Sequence, residues 1–181
     1  MEHQLLADQG KAIRDPVWGY IHLPPSVLAL VDTEDFQRLR NITQLGYVHL
    51  VYPGARHSRF EHSLGVYHLA KQFMSRLLVS DPPLQLADED IRVFVAATLL
   101  HDIGHYPFSH TLEELMPFFV LHEERARQII LDQDRPTYHI LQNQFKVDPL
   151  RVANVIDYKN AQCSIPPEDL LLANILSGTL D

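Results

Sequence analysis

The stretch Asp88-Glu-Asp-Ile-Arg-Val-Phe-Val-Ala-Ala-Thr-Leu-Leu-His-Asp102 determines the architecture. Its three opening acidic residues suit the positive end of a helix. Ile91, Phe94, Val95 and Thr98 then recur at helical spacing, and the same stripe runs on to His101 and Asp102. Gly104 and Pro107 end the pattern. A helix this apolar is buried among other elements. A buried carboxylate is costly unless it is paired or holds a cation, and an imidazole beside it makes a mixed ligand pair for a divalent metal. A histidine at a helix C-terminus also serves the dipole alone, so the dipeptide by itself leaves both readings open.

The next pattern lies upstream. From His62 an apolar face passes through Val66, Leu69, Phe73 and Leu77, which puts His62 on the core-facing stripe of a second helix. Three ligands from two helices then converge. Ser26 is the expected N-cap of a helix carrying Val27, Leu28, Leu30 and Val31, and Phe36, Leu39 and Ile42 continue at helical spacing. Further helices are expected over 123–131 and 147–156, and a last one opens at Pro166-Pro167, runs through Leu170, Leu171 and Ile175, and stops at Gly178. Asp81-Pro-Pro83 reads as a loop, and Gly46 to Tyr52 as the only extended stretch. The expectation is an all-α helical bundle with at most one short hairpin before residue 54.

With 181 residues the chain fits one domain, 1–181, large enough to fold without disulfides. Fifteen Lys and Arg against 23 Asp and Glu give a net charge of −8, which disfavours nucleic acid and anionic membranes as partners. The single Cys163 can form no intrachain disulfide, and it reads as a buried thiol of a reducing compartment. Met1 to Asp15 lacks the apolar core of a signal peptide, and Val93 to Leu100 is far too short to span a bilayer, so a cytoplasmic protein is expected. Signatures of P-loop, Rossmann and zincin chemistry are missing.

Eleven histidines are the unusual count. His101-Asp-Ile-Gly-His105-Tyr-Pro-Phe-Ser-His110 places two imidazoles just beyond the helix break, and His122 opens the following helix beside Glu123 and Glu124. Near a metal, imidazoles can donate to phosphate oxygens or protonate a leaving oxygen. Taken singly, each suits a cap or a surface position equally well.

Arg59-Phe-Glu-His62-Ser together with the 101–110 run resembles the HD-domain superfamily of metal-dependent phosphohydrolases, and more narrowly its deoxynucleoside triphosphate triphosphohydrolase branch. Asp15-Pro16, the segment from Val31 to Arg40, Gln44-Leu45-Gly46 and Tyr52-Pro-Gly-Ala55 extend that resemblance from about Lys11 to the end. It implies that His62, His101 and Asp102 bind a divalent ion such as iron, manganese, magnesium or zinc. It also implies that His105 and His110 act on the phosphates and leaving group, that His122 is a further active-site histidine, that Arg59 contacts phosphate and that Gln44 meets the sugar. Glu113 falls where the branch has Asp, which alters the reach of any proton relay, and Trp18 where many members have His. The branch's fourth ligand is the second Asp of a Leu-Asp-x-Asp pattern. Leu180-Asp181 matches only its beginning, so an HD domain truncated at its C-terminal end, and weakly active as it stands, is expected. The implied reaction is hydrolysis of a nucleoside triphosphate at the α-phosphate to nucleoside and triphosphate. The resemblance further implies an activating nucleotide held by Lys11, Asp32, Gln37 and Arg40 in a homo-oligomer of the full-length protein. Because the ligand set does not select a substrate, two alternatives stay open: a phosphodiesterase or nucleotidase acting on another phosphate ester, and a catalytically silent nucleotide-sensing module.

Overall fold

A computed structural model describes residues 4–80, 85–108, 120–161 and 164–180. The architecture is helical, with one two-stranded antiparallel hairpin, β1 (Lys11–Asp15) and β2 (Gly19–Leu23), in register from Lys11 opposite Leu23 to Asp15 opposite Gly19. Asp15 Oδ1 makes the turn by accepting from the amides of Val17 (2.8 Å) and Trp18 (2.9 Å), and Gly19 supplies the positive φ of 76°. The hairpin does precede residue 54, but Gly46–Tyr52 is not part of it. That segment folds as a 3-10 turn, Gly46–Leu50, with the Val48 amide on Leu45 O and the Val51 amide on Val48 O. Tyr47, Leu50, Val51 and Tyr52 are exposed there, because among the described residues no neighbouring strand is present for a β-prone run to pair with.

Helix α1 (Pro25–Val31) starts on Pro24 and Pro25, whose fixed φ suits a first turn, so Ser26 lies inside the helix and is not its N-cap. Thr33 caps the short α2 (Glu34–Gln37), which tightens into a 3-10 turn, Arg38–Asn41. Phe36, Leu39 and Ile42 are buried, as their spacing predicts.

Two long helices carry the site. α3 (Arg59–Leu77) opens with a capping box in which Ser58 Oγ accepts from the Glu61 amide and Glu61 Oε2 accepts from the Ser58 amide. α4 (Asp88–Leu100) packs against it and is buried almost throughout from Asp90 onward. Around α4 lie α5 (His122–Leu131), α6 (Pro136–Ile140), α7 (Pro149–Ile156) and α8 (Pro167–Ile175). A wide π-type turn, Leu141–Phe145, extends α6 and ends at Lys146 in the left-handed region. On α8 the core takes Leu172, Ala173 and Ile175, while Leu170 and Leu171 are exposed, a phase one step later than the sequence pattern predicts. Asp81-Pro-Pro83 and Cys163 fall outside the described residues.

Charge also fastens this bundle. Arg151 on α7 pairs with Asp90 and Glu89 at the start of α4 and with Asp169 on α8, the last at 2.6 Å. The only tryptophan, Trp18, lies over α3: a Cβ built on Gly65 would stand 2.8 Å from its Nε1, and its ring centroid is 5.6 Å from that of His68. Among the described residues no helix is long and apolar enough to cross a membrane.

Candidate metal centre

The packing of α3 on α4 brings His62, near the start of one helix, to His101 and Asp102 at the end of the other. Their ligand atoms all lie within 4.8 Å of one another. The two imidazoles meet nitrogen to nitrogen, Nε2 to Nε2, at 3.2 Å. His101 Nδ1 is 2.9 Å from the carbonyl of Thr98, which only accepts. Nδ1 therefore carries the hydrogen, and Nε2 keeps its lone pair toward His62. The Asp102 oxygens stand 3.8 Å from His62 Nε2 and 3.7 Å from His101 Nε2. Two imidazole nitrogens beside a buried carboxylate make the donor set a divalent cation needs once the shared hydrogen is lost, and the mixed nitrogen and oxygen ligands suit iron, manganese or zinc better than a soft ion.

Asp102 is the electrostatic hub. Burial alone would raise its pKa, but His101, the hydrogen bond from His105 and the charge of Arg59 outweigh it, so the carboxyl is held far below the usual carboxylate range. Arg59 Nη1 donates to Asp102 Oδ2 at 2.8 Å with both side chains buried, while Arg59 Nε has no hydrogen-bond partner among the described residues. His105 Nε2 lies 3.0 Å from Asp102 Oδ1. Burial first, then the positive charges of Arg59 and His122, depress the His105 imidazole to about 4 against the pull of Asp102, so the ring is neutral at pH 7. His122 stacks on it, with centroids 3.9 Å apart and planes 16° from parallel. Gly104 makes that stack accessible to the chain: a Cβ there would lie 1.9 Å from the His122 carbonyl oxygen and 2.6 Å from the Ala126 amide.

Thus His62, His101, Asp102, His105, His122 and Arg59 come together. His110 and Glu113 lie outside the described residues. Gln44 stands one residue from the isolated bridge between Thr43 and Ser58, just ahead of α3, and its Oε1 is buried without a partner among the described residues. A 140 Å³ cavity opens between His101, Asp102, His122 and Glu123 on one side and Asp157, Lys159 and Ser177 on the other. Asp157 and Lys159 give no signal in the sequence, since only the packing of α7 against α5 brings them there. His57 lines a 580 Å³ cavity on the far side of His62, together with Trp18 and Glu61. A larger cavity of 760 Å³, bordered by Leu5, Pro24, Leu78 and Arg92, shares no residue with the cluster.

Away from the centre, Arg40 Nε donates to Gln37 Oε1 at 2.7 Å and the Arg40 guanidinium lies 3.6 Å over the Phe60 ring. Lys11 is exposed at the start of β1, and Asp32 at the end of α1.

Comparison with known proteins agrees with this geometry. Uncharacterized protein YwfO of Bacillus subtilis is 41% identical over 155 residues, which are 84% of this chain and 35% of that protein. Human deoxynucleoside triphosphate triphosphohydrolase SAMHD1 is 46% identical over 110 residues, 61% of this chain and 18% of that protein. The chain therefore spans about a third or less of the length of these relatives. Among solved structures, a phosphohydrolase from Bacteroides thetaiotaomicron superposes with a TM-score of 0.74 at 33% identity, covering 96% of this chain and 39% of that one. A hypothetical protein from Aquifex aeolicus does so equally well, at 0.74 and 34%, over 94% of this chain and 42% of that one. The HD domain family model matches residues 59–177, which begins at the arginine beside the cluster and takes in His62, His101 and Asp102, and this chain belongs to the HD-domain phosphohydrolase family.

Proposed function

We propose that the chain carries the metal-binding site of a phosphohydrolase that splits deoxynucleoside triphosphates into nucleoside and triphosphate. The observation that carries the reading is the meeting of the half-buried His62 with the buried His101 and Asp102, their ligand atoms all within 4.8 Å. The name of the SAMHD1 relatives supports the substrate class. A divalent ion held by His62, His101 and Asp102 supplies a Lewis acid for a phosphoryl oxygen and lowers the pKa of a bound water. Arg59 holds Asp102 ionised and keeps its Nε for a phosphate oxygen. His105, neutral and donating through Nε2 to Asp102, has Nδ1 as the nitrogen able to exchange a proton with the reacting group. His122 stacks over it and fixes its plane, with His110 and Glu113 completing the proton path. Gln44 meets the sugar, and Lys159 adds positive charge at the cavity mouth. The test is product analysis with deoxynucleoside triphosphates and Mn²⁺: inorganic triphosphate is expected, whereas monophosphate as product would move the protein to the nucleotidase reading.

A second nucleotide is proposed for the Lys11, Asp32, Gln37 and Arg40 group, where it would promote assembly of the longer protein. The joined Gln37 and Arg40 side chains favour it, since an amide can read a base edge while a guanidinium holds phosphate.

A further inference from the structure

We infer that Arg38 is a positioning residue of the metal centre, acting on His105 through the backbone of the turn that carries it. After α4 the chain makes two tight bonds, the Ile103 amide on Leu100 O and the His105 amide on Asp102 O. Two amides of this buried turn are thereby satisfied, and its carbonyls are taken by arginines. Arg38 Nη2 donates to Ile103 O at 2.5 Å and Nη1 to His105 O at 2.6 Å, while Arg125 Nη1 reaches the intervening Gly104 O at 3.3 Å. Three consecutive carbonyls are thus gripped from two different helical segments.

The grip matters because of what it surrounds. Gly104 sits in the middle with no side chain to restrain it, and the approach of α5 forbids one. Without an external hold, the φ and ψ of Gly104 would be free to carry His105 away from Asp102. A guanidinium is a planar fork, so its two Nη groups set the separation of the Ile103 and His105 carbonyls in a way that an ammonium, a single point donor, would not. Arg38 is half-buried, in a turn whose Phe36 and Leu39 are fully buried. It is neither one of His62, His101 and Asp102 nor a lining residue of the 140 Å³ cavity.

The kinetic arm of the test rests on the phosphohydrolase reading, and the exchange arm does not. Mn²⁺-loaded wild type, Arg38→Ala, Arg38→Lys and, as a control on the exposed end of α3, Arg76→Ala are compared. Amide hydrogen exchange over 101–108 is expected to accelerate in Arg38→Ala and to stay at the wild-type rate in Arg76→Ala. Triphosphate release is expected to lose ~10-fold or more in kcat with KM and Mn²⁺ content unchanged, since small displacements of a catalytic group cost about that much. Arg38→Lys should fall between, and added guanidinium ion, but not ammonium, should restore part of the kcat of Arg38→Ala. Unchanged exchange over 101–108 in Arg38→Ala overturns the inference, as does exchange that rises equally along the whole chain. Absence of triphosphate release from wild type would defeat the substrate reading, with the exchange result still deciding the role of Arg38.

Discussion

The two imidazole nitrogens at 3.2 Å share one hydrogen that a cation would displace, and Asp102 beside them is buried. The strongest effect of single substitutions is therefore expected on metal content. Purified without chelator, the protein should retain a divalent ion, and His101→Ala and Asp102→Ala should lose at least the roughly ten-fold in affinity that removing a partner hydrogen-bonded to a ligand already costs. Elemental analysis of the three proteins checks this, and equal metal in all three would refute it. His105 gives a separate, acid-side signature. Its imidazole titrates near 4 in the fold and near the ordinary 6.5 when unfolded, so below 6.5 the unfolded chain takes up the proton more readily. Stability is fully present above that pH and falls as the pH drops toward 4, by about 2 kcal/mol at pH 5. In metal-stripped protein, urea denaturation at pH 7 and pH 5 should show this loss in wild type and a smaller one in His105→Gln. Gly104→Ala, which forces the chain against the His122 carbonyl, should cost more than either of these substitutions removes in contacts, because backbone and not a flexible side chain must move.

At the level of elements, one arginine holds three helices. Arg151→Met leaves Asp169, 2% exposed, and Asp90, 7% exposed, without their cation. Removing one partner of such a cluster costs about 3 kcal/mol, visible as a lower denaturation midpoint with unchanged slope. Ser58→Ala, which removes the cap of α3, should cost about 1 kcal/mol in the same measurement. The helices that these two sites fasten are also the part of the fold most legible in the sequence. The acidic start of α4, its buried stripe and the break at Gly104 can all be read from spacing, because a long helix repeats its message over several turns. On α3 the spacing misses the phase: Phe60, Leu64, Tyr67, Ala70 and Met74 form the fully buried face, while His62, Leu69, Phe73 and Leu77 of the expected stripe are only partly buried, so His62 meets His101 and Asp102 from the edge of the packed face. Short elements carry no such redundancy: the hairpin at 11–23 has only Ile21 and Leu23 fully buried, and Gly46–Tyr52 has the composition of a strand with no partner to make it one. The phase of α8 is ambiguous for a related reason, since four apolar residues in succession, from Leu170 to Ala173, let several faces pass for the buried one. Arg38, Asp157 and Lys159 owe their place to contacts made across the fold, and nothing in their own neighbourhoods announces it.

For the molecule as a whole, the His62–His101–Asp102 cluster exists only when α3 and α4 are docked, because His62 and His101, 39 residues apart in sequence, must meet. Ligand binding and folding are therefore linked, and Mn²⁺ at 100 times its Kd should stabilise the chain by about 2.7 kcal/mol. Assembly offers another measurement at this scale. In the longer protein, guanosine or deoxynucleoside triphosphate should raise the sedimenting mass of wild type and not of Arg40→Ala; a mass indifferent to nucleotide in wild type would remove the second site. The lone indole of Trp18 has an optical consequence. It rests on Gly65, one helical turn from His62, and borders the same 580 Å³ cavity as that ligand. Emission from this protein is thus the signal of one chromophore stationed beside the centre, and a paramagnetic ion such as Mn²⁺ entering it should quench that light in proportion to occupancy, giving binding curves without a label.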